Sequence, residues 1–178
     1  MDRRLIKISK YMSYLLRHDP KDLELDERGF VPITDLLDKL REKFPDVRMD
    51  DIETILKNSN KRRFQLEGER IRAIYGHSIK LKELRYPRYE PESSLYHGTT
   101  EQALASIMVE GIKPMSRLMV HLSRTVEDAL KVAVRHRGKP VILEVDAVSA
   151  SRDGIAFFDA GDVILTHHIP PKYIKVLK

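Results

Sequence analysis

Hydrophobic residues recur at helical spacing in three segments near the start of the chain. The first segment covers about residues 4–18 and ends at Asp19-Pro20, because proline disfavours helical geometry in the residue before it. Pro32 suits the first turn of a second helix, and Asp50 and Glu53 have the spacing of a capping box at the start of a third. The pattern therefore predicts three consecutive helices.

The period changes after the third helix. Apolar residues alternate with polar ones over 64–66 and again over 71–73, and Glu67-Gly68-Glu69 marks a turn between them. Three helices followed by a β-hairpin is the order of a winged-helix domain, and we predict such a lobe for residues 1–80. Winged-helix domains commonly bind nucleic acid, although a fold by itself does not define a function.

The second half of the chain is predicted to be a mixed α+β lobe that is mostly sheet. Residues 81–93 are rich in proline and arginine and have no sustained periodicity, which indicates a linker. Within 94–178, Gly111 closes one helix, and Ser123 or Thr125 caps another. Strands are predicted at 95–97, 119–122, 141–145, 155–158, 163–166 and 173–177.

The composition excludes several classes of protein. The 178 residues include no Cys, which excludes disulfides, thiolate catalysis and Cys-ligated metals. No apolar run approaches the ~18 residues of a membrane span, and the N-terminus lacks the apolar core of a signal peptide. No His pair has metal-ligand spacing with an acidic partner, and neither a P-loop nor a dinucleotide-binding glycine motif is present. We expect a soluble, cytoplasmic protein without a metal.

The net charge of +5 is unevenly distributed along the chain. Between Lys57 and Arg88 the sequence carries ten basic and three acidic residues. Such a strip is typical of a surface that contacts phosphates, and it is equally typical of a solvated face. Charge alone leaves both interpretations open.

Three short motifs in the first half carry groups that can bind phosphate. Arg17-His18 falls in the last turn of the first helix, where the helix dipole by itself also favours cations. Lys61-Arg62-Arg63 opens the hairpin, and its two arginines should differ in role because neighbouring strand residues face opposite ways. Gly76-His77-Ser78 offers close backbone approach and two hydrogen-bonding side chains. Each motif is also explained by an ordinary helix end, basic turn or loop.

The second half contains two further candidates. His97-Gly98-Thr99 follows a strand and precedes a helix, and a strand–turn–helix presents backbone N–H groups to an anion. The same residues are also explained by a helix cap and a core histidine. His121 and Ser123 share one face of a strand, which favours either the lining of a cleft or a solvent-exposed sheet.

Taken in order, these motifs resemble the NAD-dependent RNA 2′-phosphotransferase family, the tRNA 2′-phosphotransferases. The resemblance extends over nearly the whole chain, and the ordered set is much more specific than any single motif. Its segments are Ser13–His18, Gly29–Pro32, Lys61–Phe64, Ile71–Ala73, Gly76–Ser78, Leu95–Thr99, Gly111–Met115 and Val120–Ser123.

The resemblance implies a winged-helix RNA-binding lobe followed by an ADP-ribosyltransferase-like mixed β-sheet lobe that binds NAD. Members of this family remove an internal RNA 2′-phosphate, such as that of a tRNA splice junction, by transferring it to NAD, which is consumed. The implied route passes through an RNA-2′-phospho-ADP-ribose intermediate and gives 2′-OH RNA, nicotinamide and ADP-ribose 1″,2″-cyclic phosphate. RNA with a 2′-phosphate, in particular tRNA, is thus the expected partner, and no membrane or obligate protein partner is expected.

The resemblance also assigns residues to roles. The implied catalytic set is Arg17, His18, Arg63 and Arg117. Arg17 and Arg63 would bind the 2′-phosphate, and His18 would either protonate the departing RNA 2′-oxygen or form a hydrogen bond at the phosphorus centre. Arg117 would reach both the phosphate and the NAD diphosphate. The residues implied for NAD are His97, Gly98, Thr99, His121, Ser123 and Asp128, and those implied for RNA are Lys61, Arg62 and His77.

The sequence departs from the family pattern at three places. Tyr75 stands before Gly76, where many members carry Gln. Leu118-Met119 occupies a position that is often polar, and the turn at 159–162 lacks the Ser and Asn-Gly expected there. The last two departures concern the nicotinamide and ribose contacts and leave the catalytic set intact.

There are two alternative functions, one of them also enzymatic and the other from a different class. An NAD-dependent ADP-ribosyltransferase would stop after the first step and modify nucleic-acid phosphates, and loss of the Arg/His set would favour it. A non-catalytic winged-helix regulator would bind nucleic acid and would need neither 97–99 nor 121–123. The presence of all three motifs favours the phosphotransferase.

Overall fold

The computed structural model describes residues 2–58 and 62–177. The chain divides into two units, Met1–Arg85 and Tyr86–Lys178. This division lies inside the segment 81–93, for which the sequence predicts a linker. Part of that segment is nonetheless a strand, because Arg88–Tyr89 pairs with the second unit's own sheet.

The first unit contains three helices and a small antiparallel sheet. Its elements in chain order are α1 (Arg3–Arg17), β1 (Val31–Pro32), α2 (Ile33–Arg41), α3 (Met49–Asn58), β2 (Phe64–Glu67) and β3 (Arg70–Ala73). The strands lie in the order β1-β3-β2, so the short β1 joins the open edge of the hairpin. The predicted order of three helices followed by a hairpin is confirmed.

A single apolar core holds these elements together. One side of α1 is fully buried through Ile8, Met12, Leu15 and Leu16. The other core side chains come from all the remaining elements, and they include Leu36, Leu40, Ile52, Ile55, Phe64 and Ile71. Replacing one such buried Leu or Ile by Ala costs about 2–5 kcal/mol of unfolding free energy. This packing fixes where α1 ends, and therefore where Arg17 and His18 lie.

Two predicted helix starts are wrong in detail. Pro32 is not in the first turn of α2, because it is extended and belongs to β1, and the next backbone N–H donates to the carbonyl oxygen of Glu69 in the β2–β3 turn (2.8 Å). Asp50 does not cap α3, because the helix already includes Met49. Its neighbour Asp51 reaches back instead and accepts a hydrogen bond from the N–H of Arg48 (2.9 Å).

The second unit consists of two antiparallel sheets with helices packed on them. Its elements are β4 (Arg88–Tyr89), β5 (Leu95–Thr100), α4 (Glu101–Glu110), β6 (Val120–Leu122), α5 (Val126–Ala133), β7 (Pro140–Val145), α6 (Ala147–Arg152), β8 (Phe157–Asp159), β9 (Ile164–Thr166), a 3₁₀ turn (Pro171–Tyr173) and β10 (Ile174–Leu177). The sheet orders are β10-β7-β5 and β4-β8-β9-β6. A bridge between Tyr96 and Ser123 links the two sheets. The predicted mixed α+β class is confirmed.

The sequence pattern misses α6. This helix is only one and a half turns long and buries two alanines, Ala147 and Ala150, so it has no periodic run of large apolar residues. Its start is fixed locally, because the Asp146 carboxylate accepts a hydrogen bond from the N–H of Ser149 (3.0 Å).

Candidate functional site

The end of α1 is held by a segment that follows β3. The carbonyl oxygen of Arg17 accepts hydrogen bonds from the backbone N–H groups of Ser78 (3.0 Å) and Ile79 (3.4 Å). The Ser78 hydroxyl lies 3.0 Å from Nδ1 of His18 and 3.5 Å from the same carbonyl oxygen. The structure therefore brings Arg17-His18 and Gly76-His77-Ser78 together, as one cluster built from two distant parts of the first unit.

The Arg17 side chain is half-buried among the residues of this cluster. Its guanidinium carbon lies 5.2 Å from the centre of the Tyr75 ring, at the distance of a cation–π contact. Gly76 adopts φ +88°, a left-handed conformation that favours glycine, and its backbone passes the arginine side chain. Tyr75 was noted in the sequence only as a departure from the family pattern, and its contact with Arg17 is a role that the sequence analysis missed.

His77 is buried rather than available to RNA at the surface. Its side chain is 3% exposed, and neither ring nitrogen has a hydrogen-bond partner among the described residues. Burial, assisted by the positive charges of Arg17, Arg72 and His18, lowers the pKa of His77 to about 4. His77 is thus a neutral ring at neutral pH beside Arg17, and its predicted role as an RNA contact does not fit this position.

The hairpin motif is only partly within the described residues. Lys61 lies outside them. Arg62 is exposed, whereas Arg63 is half-buried and its carbonyl oxygen accepts a hydrogen bond from the N–H of Ile74 (2.9 Å), in register with the β2–β3 pair. The expected difference between the two arginines is therefore reflected in their burial.

The basic strip is partly neutralised by acidic residues that lie outside it in the sequence. Arg70 pairs with Asp26 (3.0 Å), and Lys82 pairs with Glu27 (3.2 Å). Lys57 pairs with Glu53 (3.2 Å) one helical turn away. The interpretation of the whole strip as a phosphate-binding surface does not fit these pairs.

The second unit contains a cleft of about 670 Å³, within the range of small-molecule binding sites. Four predicted residues line it, namely His97, Gly98, Thr99 and His121, together with the predicted catalytic residue Arg117. Its other walls come from α4, the segment 111–119 and the residues that follow α5.

Hydrogen bonds to backbone carbonyls fix both histidine rings of the cleft. Nδ1 of His97 lies 3.1 Å from the carbonyl oxygen of His121, and Nδ1 of His121 lies 2.9 Å from that of Met119. A carbonyl oxygen only accepts, so Nδ1 carries the proton in both rings. Burial lowers the pKa of His97, the hydrogen bond opposes this shift, and positive charge at His136 and Arg117 adds to it. His97 is therefore neutral at neutral pH and has Nε2 as an acceptor.

Gly98 does not lie in a strand–turn–helix, as the sequence predicts. It is inside β5, which continues through Thr100 and pairs with β7 along its whole length. A Cβ at this position would lie 2.8 Å from the backbone nitrogen of Ala133 and closer still to the carbonyl oxygen of Ala129. The glycine therefore allows α5 to pack directly on the strand, which sets one wall of the cleft.

Two of the residues predicted for NAD do not line the cleft. Ser123 is buried, and its backbone exchanges two hydrogen bonds with Tyr96 (2.9 and 2.7 Å), which forms the link between the sheets. Asp128 lies in the first turn of α5, where its N–H donates to the Thr125 hydroxyl (3.2 Å). Both residues are accounted for by their contacts within the fold.

Several side chains of the cleft were not among the predicted site residues, and they include Lys113, Met115 and Arg137. Met115 has a left-handed backbone (φ +58°), which is uncommon outside glycine, and its side chain is exposed. The segment Gly111–Met115 contributed to the family resemblance, and this was the available signal for Lys113 and Met115. Arg137 makes no ion pair with any described residue.

Comparisons with known proteins agree with one another over nearly the whole chain. Residues 3–168 match the family model described as RNA 2′-phosphotransferase, Tpt1/KptA family. The chain is 44% identical over 176 residues to a protein of Streptomyces coelicolor named "Probable RNA 2′-phosphotransferase", covering 97% of this chain and 95% of that protein. Proteins of the same name from Acetivibrio thermocellus (41% identity, 95% of each chain) and Pyrococcus furiosus (40%, 97% of this chain and 95% of that protein) are similar.

Neither a membrane-spanning helix nor a group of metal ligands is found in the part of the chain that the structure describes. None of the helices formed by residues 2–58 and 62–177 combines the length and the apolar character that a membrane crossing requires. Over the same residues, no three His, Asp or Glu side chains are grouped as metal ligands would be.

Proposed function

The chain belongs to the RNA 2′-phosphotransferase, Tpt1/KptA family, and we propose that its two units divide the reaction between them. It is an RNA 2′-phosphotransferase, and the family uses NAD as co-substrate. In the proposal, the first unit is a winged-helix lobe that binds the RNA and its 2′-phosphate. The second unit is an ADP-ribosyltransferase-like lobe that binds NAD. The RNA is tRNA with a splice-junction 2′-phosphate.

The cluster at the end of α1 carries this proposal. Arg17 supplies a planar guanidinium that suits a phosphate dianion, and the Tyr75 ring and the Gly76 backbone restrict its position. His77 adds no charge beside it, because burial lowers the pKa of that ring to about 4. Arg63 is the second phosphate ligand in the proposal, and its half-buried position next to the hairpin supports a fixed side chain.

His18 is placed to move a proton through one ring nitrogen. The Ser78 hydroxyl can donate to the carbonyl oxygen of Arg17, and it then accepts from Nδ1 of His18. Nε2 is in that case the atom that exchanges a proton with the substrate. In the proposal, this proton goes to the RNA 2′-oxygen as its bond to phosphorus breaks, and the arginine charges stabilise the phosphorus centre.

The residues of the cleft fit a nicotinamide dinucleotide. The cleft has an adequate volume, one uncharged histidine with a defined acceptor atom, and the cation of Arg117 for a diphosphate. When bound, NAD supplies the ADP-ribosyl group that accepts the phosphate and the nicotinamide that leaves. His97 and His121 would hold it through their ring edges, and Thr99 lies beside them in β5. Ser123 and Asp128 are not part of this proposed set.

A single incubation tests the reaction. A short RNA with one internal 2′-phosphate is mixed with the protein, with and without NAD, and the RNA products and released nicotinamide are measured together. We expect conversion to 2′-OH RNA only with NAD, with one nicotinamide released for each phosphate removed. Accumulation of ADP-ribosylated RNA would indicate a transferase that stops early, and RNA binding without nicotinamide release would indicate a regulator.

The division between the units is tested by binding measurements on two variants. Arg17→Ala should weaken binding of the 2′-phosphorylated RNA and leave NAD binding unchanged. His97→Ala should do the reverse. Lys175→Gln removes an exposed lysine of β10 that makes no ion pair with a described residue, and it serves as the charge control for the first variant. If Arg17→Ala binds both ligands normally, the assignment of the first unit is wrong.

A further inference from the structure

The side of α1 opposite its fully buried face carries only basic and aromatic side chains. Its side chains fall within an arc of about 100° when the helix is viewed along its axis. They are Arg3, Lys7, Lys10, Tyr11, Tyr14 and His18, and we call this set the α1 stripe. All are exposed except Tyr11, which is half-buried. The α1 stripe therefore runs along the whole helix and ends at the proposed catalytic histidine.

The charge of α1 has a single sign. The helix contains five basic residues and no acidic one. Arg3, Lys7 and Lys10 make no ion pair with any described residue, in contrast to the paired cations of the strip between Lys57 and Arg88. The helix dipole disfavours Arg3 in the first turn, and Lys7 and Lys10 lie too far from the C-terminal end to be stabilised by it. The stability of α1 therefore gives no reason for these positions, and their unneutralised charge is available to an anionic partner.

Flat rings follow these cations along the α1 stripe, toward His18. The rings of Tyr11 and Tyr14 are stacked, with centres 6.2 Å apart and planes inclined by 11°, and the His18 ring centre follows 6.4 Å from that of Tyr14. The ammonium of Lys43 also lies 4.3 Å from the centre of the Tyr11 ring. Tyr14 is 41% exposed, so one ring of this row is open to a stacking partner.

The start of the helix adds a shallow basic cleft to the same surface. This cleft has a volume of about 340 Å³ and is lined by Arg3, Arg4, Lys7, Lys43 and the segment 44–46. Arg4 is held by Asp51 through two hydrogen bonds (2.8 and 3.0 Å), so the remaining positive charge of this cleft comes from Arg3, Lys7 and Lys43 and exceeds the single negative charge of Asp46. The charge of the α1 stripe thus increases with distance from His18.

We propose that single-stranded RNA on one side of the 2′-phosphate lies along the α1 stripe, with its bases on Tyr14 and its backbone phosphates on Lys7, Lys10 and the basic cleft. This inference rests on the proposed function, because it takes the 2′-phosphate to be bound at Arg17 and His18. Fixed cations and open aromatic faces in one line are the combination that binds single strands without sequence preference. A duplex offers its base faces only at its ends, and therefore fits this surface less well.

The length of the surface sets the length of RNA that can use it. From Arg3 to His18 the helix rises about 22 Å, which corresponds to roughly six stacked nucleotides at ~3.4 Å each. The dissociation constant should therefore fall as nucleotides are added on one side of the phosphate, and the gain should stop after about six.

The experiment compares three fluorescein-labelled RNAs by fluorescence anisotropy. One is a dinucleotide with an internal 2′-phosphate, and the others carry about six more nucleotides on its 5′ or its 3′ side, the length that the α1 stripe spans. For the unmodified protein we expect one of the two extensions to tighten binding about tenfold or more. The dissociation constant of the extended RNA is divided by that of the dinucleotide. A change at the phosphate itself affects both constants equally, so this ratio measures only the gain from the extension.

Three variants locate the gain on the α1 stripe. The double change Lys7→Gln and Lys10→Gln should remove most of it and reduce the salt dependence of log Kd by about 1.4, since each phosphate contact to a single strand contributes ~0.7. Tyr14→Ala should also reduce the gain several-fold. Tyr14→Phe should keep it, because the ring remains and only the hydrogen bond to Asp19 (2.8 Å) is lost.

The control removes the same charge elsewhere. Lys57→Gln with Lys175→Gln should keep both the full gain and the salt dependence. The proposal is overturned if neither extension tightens binding, or if the gain survives in the Lys7/Lys10 and Tyr14→Ala variants. Nicotinamide release on the dinucleotide is measured separately in the unmodified protein, so its absence would refute the proposed function while the binding ratios still decide the role of the α1 stripe.

Discussion

Gly98 offers the sharpest test of how the cleft is built, because a single methyl group should displace a helix. In Gly98→Ala the new Cβ would lie 2.8 Å from the nitrogen of Ala133 and closer to the oxygen of Ala129. Both are backbone atoms of α5 and cannot rotate away. To reach an ordinary contact distance, α5 must move from β5 by roughly 1 Å, which disrupts the packing of its own buried residues, Ala129 and Ala133, on the strand.

The expected cost follows from that displacement. Overpacking a core costs about 1–3 kcal/mol, and we expect the upper end, about 3 kcal/mol, because the obstructing atoms are backbone. For a unit of this size each kcal/mol lowers the melting temperature by about 4–8 °C, so Tm should fall by about 12 °C or more. Thermal unfolding followed by far-UV circular dichroism measures this, and calorimetry with NAD measures the accompanying loss of binding.

Gly161→Ala is the matched control for the same chemical change. Gly161 is in the turn between β8 and β9, it has φ +83°, and a Cβ there would meet no atom within 4 Å. Gly161→Ala should lower the unfolding free energy only by the cost of placing an alanine in a left-handed backbone conformation, about 1–2 kcal/mol. If Gly98→Ala is no less stable than this control but binds NAD weakly, the glycine serves a ligand contact and the packing argument is refuted.

Three further changes test the cluster at the end of α1. The pKa of His77 is about 4 in the folded state and about 6.5 in the unfolded state. Between pH 6.5 and pH 4 the unfolded chain therefore binds more protons than the folded one, and the unfolding free energy should fall by up to about 3 kcal/mol across this range. Urea titrations across this range should show a correspondingly weaker pH dependence for His77→Gln, and an unchanged one would contradict the burial. Tyr75→Leu should weaken binding of 2′-phosphorylated RNA about threefold to thirtyfold through loss of the cation–π contact with Arg17, whereas Tyr75→Phe should bind normally. Arg63→Ala should stall phosphate release, which a gel would register as accumulated ADP-ribosylated RNA, and normal turnover would remove Arg63 from the catalytic set.

The parts of the fold that local pattern determines were predictable from the sequence. The apolar period of α1 gives its extent to within a residue, because one face of that helix is fully buried and a proline follows it. The β2–β3 hairpin follows from alternation around Glu67-Gly68-Glu69. Within the site, His97 and His121 were predicted, and both line the cleft.

The remaining features depend on residues far apart in the chain. The local pattern predicts a turn at Gly98 because the helix that requires the glycine begins almost thirty residues later. The strip between Lys57 and Arg88 has the composition of a basic surface because Asp26 and Glu27, which neutralise part of it, lie outside that stretch of sequence. Ser123 shares a strand face with His121 by alternation, yet a bridge to Tyr96 buries it. No local pattern contains these contacts.

The hydrogen bonds that join Ser78 to Arg17 and His18 also have a kinetic consequence. They close a loop of 61 residues, at an entropic cost of about 4 kcal/mol that only the docked hairpin and its core contacts can offset. An intermediate with α1 already helical but with β3 undocked would have the right residues and no competent phosphate site. On refolding, recovery of RNA 2′-phosphate binding should therefore lag behind recovery of helical signal, and catalytic activity reports completion of the first unit rather than formation of its helices.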